Sequence, residues 1–369
     1  MRPVSAPTVA VDIGSTLGPR TGVGQFVTRL LDGLAGLEEP PAIKPYVLSF
    51  RATLPDGVRR LAFPARVALE AWGRTEHPSA DRGLSGADVV HGPNYVIPPS
   101  HLPSVVSVHD CWFLDHPHEV SGSVRAFGPA LRRAVRRGAT VHVPSEHTAG
   151  QVRTLLGAER VAVVPLGAPT TLPPAAPVHL AGLGGRPYVL ALGAKEPRKN
   201  LPRLIDAFGL LLRELPDLAL VLLGPDGPDS ANIDEAVRRQ SRDVTDRILL
   251  VDYVPDDERN AIVQAAVALA YPSLDEGFGF PALEAMAAGV PVVAANAGSL
   301  PEVCGDAALL VNPRNPAAMA GSLLRLLSDR GLRRDLIARG RQQVERFSVA
   351  RSAAGMAALY RSLATEGAA

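Results

Sequence analysis

The chain has 369 residues, and its 38 Lys and Arg nearly cancel its 37 Asp and Glu. That length exceeds one ordinary core, at roughly 100–200 residues per domain, and points to two domains with a cleft between them. The charge balance excludes a global field recruiting nucleic acid or an anionic membrane, and two widely spaced cysteines, Cys111 and Cys304, suggest a reducing compartment rather than a disulfide framework, with the cytoplasm as the default expectation.

The opening "MRPVSAPTVAVDIG" lacks the apolar run of a signal peptide, and no later stretch reaches the roughly 18 apolar residues of a membrane span. A first strand, "TVAVDI", runs into a glycine-bearing loop and a helix with Phe26, Val27, Leu30, Leu31 and Leu34 on one face. Gly22 and Gly24 stand at the helix entrance. The pattern matches a dinucleotide fingerprint only in part, because Val27 occupies the third glycine position and no strand-end acid follows about 20 residues on. An NAD-dependent oxidoreductase is therefore disfavoured.

Short Val-, Leu- and Ala-rich runs continue with "PYVLSF", "DVVHG", "SVVSVHD", "TVHVPS" and "VAVVPLG", alternating with helical segments as βα units do. In "SVVSVHDCWFLDHPHE" a strand ends at His109 and Asp110. His109 is a candidate contact for a bound hydroxyl, and reads equally well as a structural histidine held by Asp110. His109, His116 and His118 do not match zinc-ligand spacing, so no metal is expected. "RAFGPALRRAVRRGA" puts Arg125, Arg132, Arg133, Arg136 and Arg137 on a helix; a solvated arginine face is the plainer reading, and a basic surface resting peripherally on an anionic membrane is the other.

Residues 165–187, "PLGAPTTLPPAAPVHLAGLGGRP", have no sustained period and read as the connection between domains. The expected division is 1–175, then 176–345, with 346–369 a C-terminal helix returning to the first domain. The second set of strand-like runs is "YVLALG", "LALVLLG", "RILLVDYV", "VALAYPS", "VPVVAAN" and "AALLVNP", so the α/β fold is doubly wound, twice over. In "YVLALGAKEPRKNLPRLIDAFGLLL" Asn200 is the expected N-cap of an amphipathic helix, with Arg198 and Lys199 immediately before it. Only three lysines occur, Lys44, Lys195 and Lys199, and two fall in this loop. A guanidinium and an ammonium at a helix entrance make a diphosphate clamp, the alternative being a solvated charged loop.

The segment "SLDEGFGFPALEAMAAGVP" reads as a turn and a helix, with Pro281 near its first position and Gly289 at its end. Backbone N–H groups from Gly277 to Leu283 and the positive helix end favour a phosphate. Glu284, one turn in, leans back to the helix mouth, and Glu276 stays in the turn before it. Carboxylates accept from paired hydroxyls, so a phosphate between two glutamates suggests a nucleotide sugar. The plain alternative is that Glu284 complements the helix dipole and Glu276 is solvated. No Asp-x-Asp, Walker loop or Gly-x-Ser-x-Gly elbow occurs, which argues against a Mg²⁺-diphosphate site of that type, an NTPase and an α/β hydrolase.

Together, "EGFGFPALEAMAAGVPVVA", "EPRKNLPRLIDAF", "HGPNYVIPP", "VVSVHD" and "GSLPEVCGDAALLVNP" resemble, in order, the motifs of the retaining GT-B glycosyltransferases of family 4. The resemblance covers most of the chain. It implies two Rossmann-like domains flanking a cleft, the nucleotide on the second and the acceptor mainly on the first. It assigns Glu284 to the ribose hydroxyls and Arg198 with Lys199 to the diphosphate. Glu276 and the amides of Gly277, Phe278 and Gly279 would hold the transferred sugar, with Leu283 in the same donor site. Gly22 or Gly24 would approach the phosphate, His109 would lie beside the sugar, and "VDYVPDDE", with Val254, would meet the nucleobase. Where many members place an arginine after the strand-end glycine, this chain has Ala194, and Lys195 is the candidate substitute.

The implied reaction is hexosyl transfer with retention and no cofactor or metal, GDP-mannose being the favoured donor and a glycan, lipid-linked or small-molecule hydroxyl the acceptor. Neither glutamate is required as a nucleophile. Front-face attack would use the leaving diphosphate as base, its charge stabilised by Arg198, Lys199 and the helix end, while cleft closure excludes water. A GT-B epimerase or sugar phosphorylase, and a non-catalytic nucleotide-binding subunit, are the alternatives.

Overall fold

The computed structural model describes residues 6–18, 22–176, 180 and 182–367. Parts of the opening segment, the first glycine loop and the interdomain connection (1–5, 19–21, 177–179 and 181) therefore lie outside the described residues. The chain forms two compact units, one up to Gly167 together with the residues from Ser348, the other Ala168–Phe347. The Pro-rich connection from Ala168 onward thus belongs to the second unit, where Gln264 Nε2 donates to the Pro173 carbonyl at 2.9 Å.

The first unit carries β1 (Thr8–Asp12), β2 (Ala42–Leu48), β3 (Arg59–Leu61), β4 (Val89–Gly92), β5 (Ser104–Ser107), β6 (Thr140–Val143) and β7 (Val161–Val163). Its parallel sheet has the order β3-β2-β1-β4-β5-β6-β7. β3 was not legible as a strand, since "RRL" has two arginines in three residues and sits at the sheet edge. The second unit carries β8 (Tyr188–Leu192), β9 (Ala219–Leu223), β10 (Ile248–Val251), β11 (Ala268–Tyr271), β12 (Val292–Ala295) and β13 (Ala308–Val311), ordered β10-β9-β8-β11-β12-β13. Strands β8, β9, β11 and β12 are buried throughout, which is why they read as unbroken apolar runs.

The helix Gly22–Ala35 buries Phe26, Val27, Leu30 and Leu34 on the first sheet. On its other side it meets the C-terminal helix Val349–Gly367 so closely that a Cβ on Gly33 would stand 2.8 Å from Val349 Cγ1. The arginine-rich segment forms two helices, Gly122–Arg125 and Phe127–Arg136. Arg133 and Arg137 pair with Glu76 at 2.6 Å each, and Arg132 donates to the Leu155 carbonyl at 2.5 Å, so three of the five arginines tie the unit together.

A buried polar chain fastens the C-terminal helix to the first sheet. His142 Nε2 lies 2.9 Å from the Val164 carbonyl, which only accepts, so Nε2 donates and Nδ1 accepts from Ser107 Oγ at 2.7 Å. Ser107 then accepts from His91 Nε2 at 2.8 Å, and His91 Nδ1 accepts from Tyr360 Oη at 2.8 Å. Every link has one assignable direction, and both imidazoles are neutral. Burial pulls His142 down to about 4 and drives His91 well below its ordinary value. The unfolded histidines take up protons near pH 6.5, so this contribution to stability is complete above that pH and lost as the pH falls towards 4. Each histidine costs up to about 1.4 kcal/mol per pH unit. Urea midpoints of the first unit should therefore drop between pH 7 and pH 5, and His142→Gln should flatten that slope; midpoints constant over this range would contradict the assignment.

Candidate active site

The strand order of the second sheet reverses between β8 and β11, which run parallel, and this is the switch point at which open α/β sheets bind ligands outside the strand carboxyl ends. The loop after β8 carries Arg198 and Lys199; the loop after β11 carries Glu276. Folding brings the three together. Arg198 Nη1 lies 2.6 Å from Glu276 Oε2, and Lys199 Nζ 2.5 Å from Oε1. Arg198 Nε also reaches Glu196 Oε2 at 2.8 Å. Glu276 is only 6 % exposed, so it is neither a solvated turn residue nor a lone carboxylate.

Burial alone would raise the Glu276 carboxyl, but the Arg198 and Lys199 charges outweigh it and bring the group down to about 2. Burial pulls the Lys199 ammonium below its usual range, with Glu276 opposing that fall. The ammonium sits 5.1 Å from the Tyr271 ring centroid, in cation–π range, and 3.4 Å from its hydroxyl. Gly193 makes room for the lysine stem: its φ is +133°, and a Cβ there would stand 3.0 Å from Lys199 Cε.

Asn200 corrects the expected N-cap. Its φ is +58°, whereas a side-chain cap needs an extended backbone, and it makes no capping bond. Its Nδ2 donates instead to the carbonyls of Pro272 (3.0 Å) and Pro313 (2.8 Å), joining the loops after β8, β11 and β13. The Leu274 N–H adds a bond to the Arg198 carbonyl at 2.7 Å, so the two loops of the cluster are tied through backbone as well as charge. Lys195, the candidate substitute for the missing arginine, pairs through Nζ with Asp226 Oδ1 at 2.5 Å, in the loop after β9.

After the turn comes the helix Phe280–Ala287, with Pro281 in its first turn and Gly289, at φ +74°, just past its end. The N–H groups of Ala282 and Leu283 both return to the Gly279 carbonyl, at 3.1 and 3.4 Å, and the Leu283 side chain is fully buried. Leu283 therefore closes the first turn and belongs to the core. The turn before it, Gly277, Phe278 and Gly279, is buried. The loop after β12 clamps this turn: the Ser299 N–H donates to the Glu276 carbonyl at 3.0 Å, and Ser299 Oγ to that of Phe278 at 2.6 Å. Gly298, at φ +60°, lies so near that a Cβ would stand 2.5 Å from the Glu276 nitrogen. Sequence reasoning missed Gly298 and Ser299, which carry no charge and belong to a different loop.

Glu284 is 1 % exposed, and its Oε2 lies 2.5 Å from Arg259 Nη2. Arg259 was also missed, although a signal existed. In the helix Asp256–Ala265 it shares the three- and four-residue spacing of buried Ile262 and Val263, so a charge stands where the period calls for an apolar side chain. Val254, just before that helix, is half-buried.

The remaining candidates belong to the first unit. Gly22 is exposed and Gly24 buried at the start of their helix, and among the described residues a Cβ on Gly22 would meet nothing within 4 Å. His109 is held by Pro93, whose carbonyl lies 2.7 Å from Nε2, and not by Asp110, which accepts from the Trp112 N–H at 3.1 Å. The His109 ring packs edge-on to Phe26 and Tyr95, with centroids 5.2 and 5.6 Å away. Burial lowers its affinity for a proton, against the opposing effects of the Pro93 bond and Asp110, which leaves a neutral imidazole with Nδ1 as acceptor. His116 stacks on Trp112, with ring centroids 3.7 Å apart.

Residues 21–172 match the family described as Glycosyltransferase Family 4, and residues 181–343 match Glycosyl transferases group 1. The chain is 31 % identical over 358 residues to O-antigen chain mannosyltransferase B of Escherichia coli, an alignment covering 89 % of this chain and 93 % of that protein. Sucrose-phosphate synthase from Thermosynechococcus elongatus superposes with a TM-score of 0.75 at 21 % identity, over 98 % of this chain and 100 % of that one. Anabaena HepE, solved with UDP and glucose, gives 0.68 at 16 % identity, over 96 % and 100 %.

Proposed function

Because the chain belongs to the GT-B glycosyltransferases of family 4, we propose that this glycosyltransferase moves a hexose from a nucleoside-diphosphate sugar to an acceptor hydroxyl with retention of anomeric configuration. GDP-mannose is the favoured donor, following the name of the E. coli relative. A glycan, a lipid-linked sugar or a small molecule supplies the acceptor hydroxyl.

The observation that carries this reading is the convergence of Arg198, Lys199 and Glu276 beside a glycine turn and a helix N-terminus at the switch point of the second sheet. Arg198 and Lys199 neutralise the diphosphate, and stabilise it as it leaves. Glu276, fully ionised at neutral pH, accepts from hydroxyls of the transferred sugar, with the Gly277, Phe278 and Gly279 turn beside it. Glu284 accepts from the ribose, and Val254 lies on the nucleobase side. Gly22, Gly24 and His109 are the first unit's part of the same proposal. His109 Nδ1 accepts from a sugar hydroxyl, and Gly22 lets a phosphate approach the backbone. The acceptor hydroxyl oxygen bonds to the anomeric carbon as its bond to the diphosphate breaks, and the departing diphosphate takes the hydroxyl proton, so the chain supplies neither nucleophile nor general base.

Calorimetry with GDP, UDP, dTDP and ADP in parallel tests the site. GDP should bind most tightly, and the full assay with GDP-mannose and an acceptor should release free GDP and an α-linked product. An epimerase would give product without acceptor, and a binding subunit would give none. Binding of none of the four nucleotides would refute the site.

A further inference from the structure

We infer that Arg259 is a positioning residue for ribose recognition: it fixes the Glu284 carboxylate at the mouth of its helix and so sets the preference for a ribonucleotide over its 2′-deoxy form. This rests on the reading that Glu284 binds the ribose. The two side chains come from different helices, Asp256–Ala265 and Phe280–Ala287, and meet with Nη2 and Oε2 2.5 Å apart.

Stability does not explain the pair. A Glu one turn into a helix complements the dipole by only about 0.3–1 kcal/mol at a surface, and this one is buried. Desolvating a carboxylate and a guanidinium costs several kcal/mol per ion, and apolar residues of similar volume are often as stable or more so. The helix bearing Arg259 has the apolar partners such a replacement needs, Ala261, Ile262 and Val263 being buried. A buried carboxylate held in one orientation there has chemical value only if it faces a ligand. Arg259 keeps it so: it supplies the counter-charge, and a guanidinium fixes the direction of the carboxylate as a point ammonium does not. The same helix follows directly on Val254, so the segment assigned to the nucleobase and the group assigned to the ribose are joined by one ion pair.

The test is calorimetric binding of three matched pairs, GDP with 2′-deoxy-GDP, UDP with 2′-deoxy-UDP and ADP with 2′-deoxy-ADP, to the whole chain. The wild type should bind the preferred ribonucleotide at least about tenfold more tightly than its 2′-deoxy form, a charged hydrogen bond being of that size. Arg259→Leu should remove most of that ratio by weakening the ribonucleotide and leaving the 2′-deoxy affinity within about twofold. Arg259→Gln keeps a donor over Glu284, guards against misfolding and should also lower the ratio. A ratio unchanged in a folded Leu or Gln variant, or equal weakening of both forms, overturns the positioning role and leaves the site reading intact. A wild type that binds none of the six nucleotides, or does not discriminate, overturns the ribose reading and this inference with it.

Discussion

Lys199→Ala should lower turnover by roughly 10²–10³-fold, the loss that follows removal of one donor aimed at developing charge in a low-dielectric site. The lysine is buried, its charge lies 2.5 Å from Glu276, and its stem runs over the backbone of Gly193. Its removal leaves Glu276 paired with Arg198 and destabilises the second unit by at most about 3–5 kcal/mol, the range for breaking a buried pair. Single-turnover rates on the folded fraction, with circular dichroism alongside, separate the two effects. Lys199→Arg should not restore activity. The lysine stem lies against the Gly193 backbone and its ammonium faces the Tyr271 ring, and a longer, planar guanidinium presents its donors in a different geometry from that compact ammonium. Unchanged turnover and unchanged donor affinity in the alanine variant would rule out the diphosphate clamp.

Glu276→Gln should split binding from catalysis. The substitution keeps shape and removes the one charge that Arg198 and Lys199 share. A nucleoside diphosphate then supplies the missing negative charge, so its affinity should hold or rise, while turnover with the sugar donor falls by about 10²-fold or more through loss of charged hydrogen bonds to the sugar. Stability adds a second signature. The wild-type carboxyl lies at about 2, below its unfolded value, so its contribution is present above the unfolded carboxyl range and lost as the pH falls towards 2. The glutamine variant lacks that part of the acid limb and should gain stability when phosphate is added. Loss of nucleotide affinity in parallel with turnover would move Glu276 from the sugar to the maintenance of the clamp.

Much of this site was legible because its chemistry is concentrated in short stretches. "EPRKN" puts two cations at a helix entrance, and "EGFGFPALE" puts two carboxylates around a glycine turn, each readable from the capping and dipole rules of one helix. What escaped was reach across the chain. Asn200 looks like a cap in its own helix, and only the folded loops show its amide on the carbonyls of Pro272 and Pro313. Ser299 and Gly298 shape the Glu276 turn from the next strand's loop without any charge to betray them. Arg259 broke the apolar period of its helix, a visible anomaly whose partner was not.

The sequence by itself determined the twice-repeated α/β organisation, because strands buried on both faces must be continuous apolar runs and their helices must carry an apolar stripe. It also determined which charged groups stand at strand ends. Tertiary structure decided which of those groups meet. Arg198 and Glu276 are adjacent because strand order places β8 beside β11, and Tyr360 reaches His91 because the last helix lies against the first sheet. Local propensity acts over a few residues, whereas these pairings are fixed by sheet order and close packing, which depend on the whole unit at once.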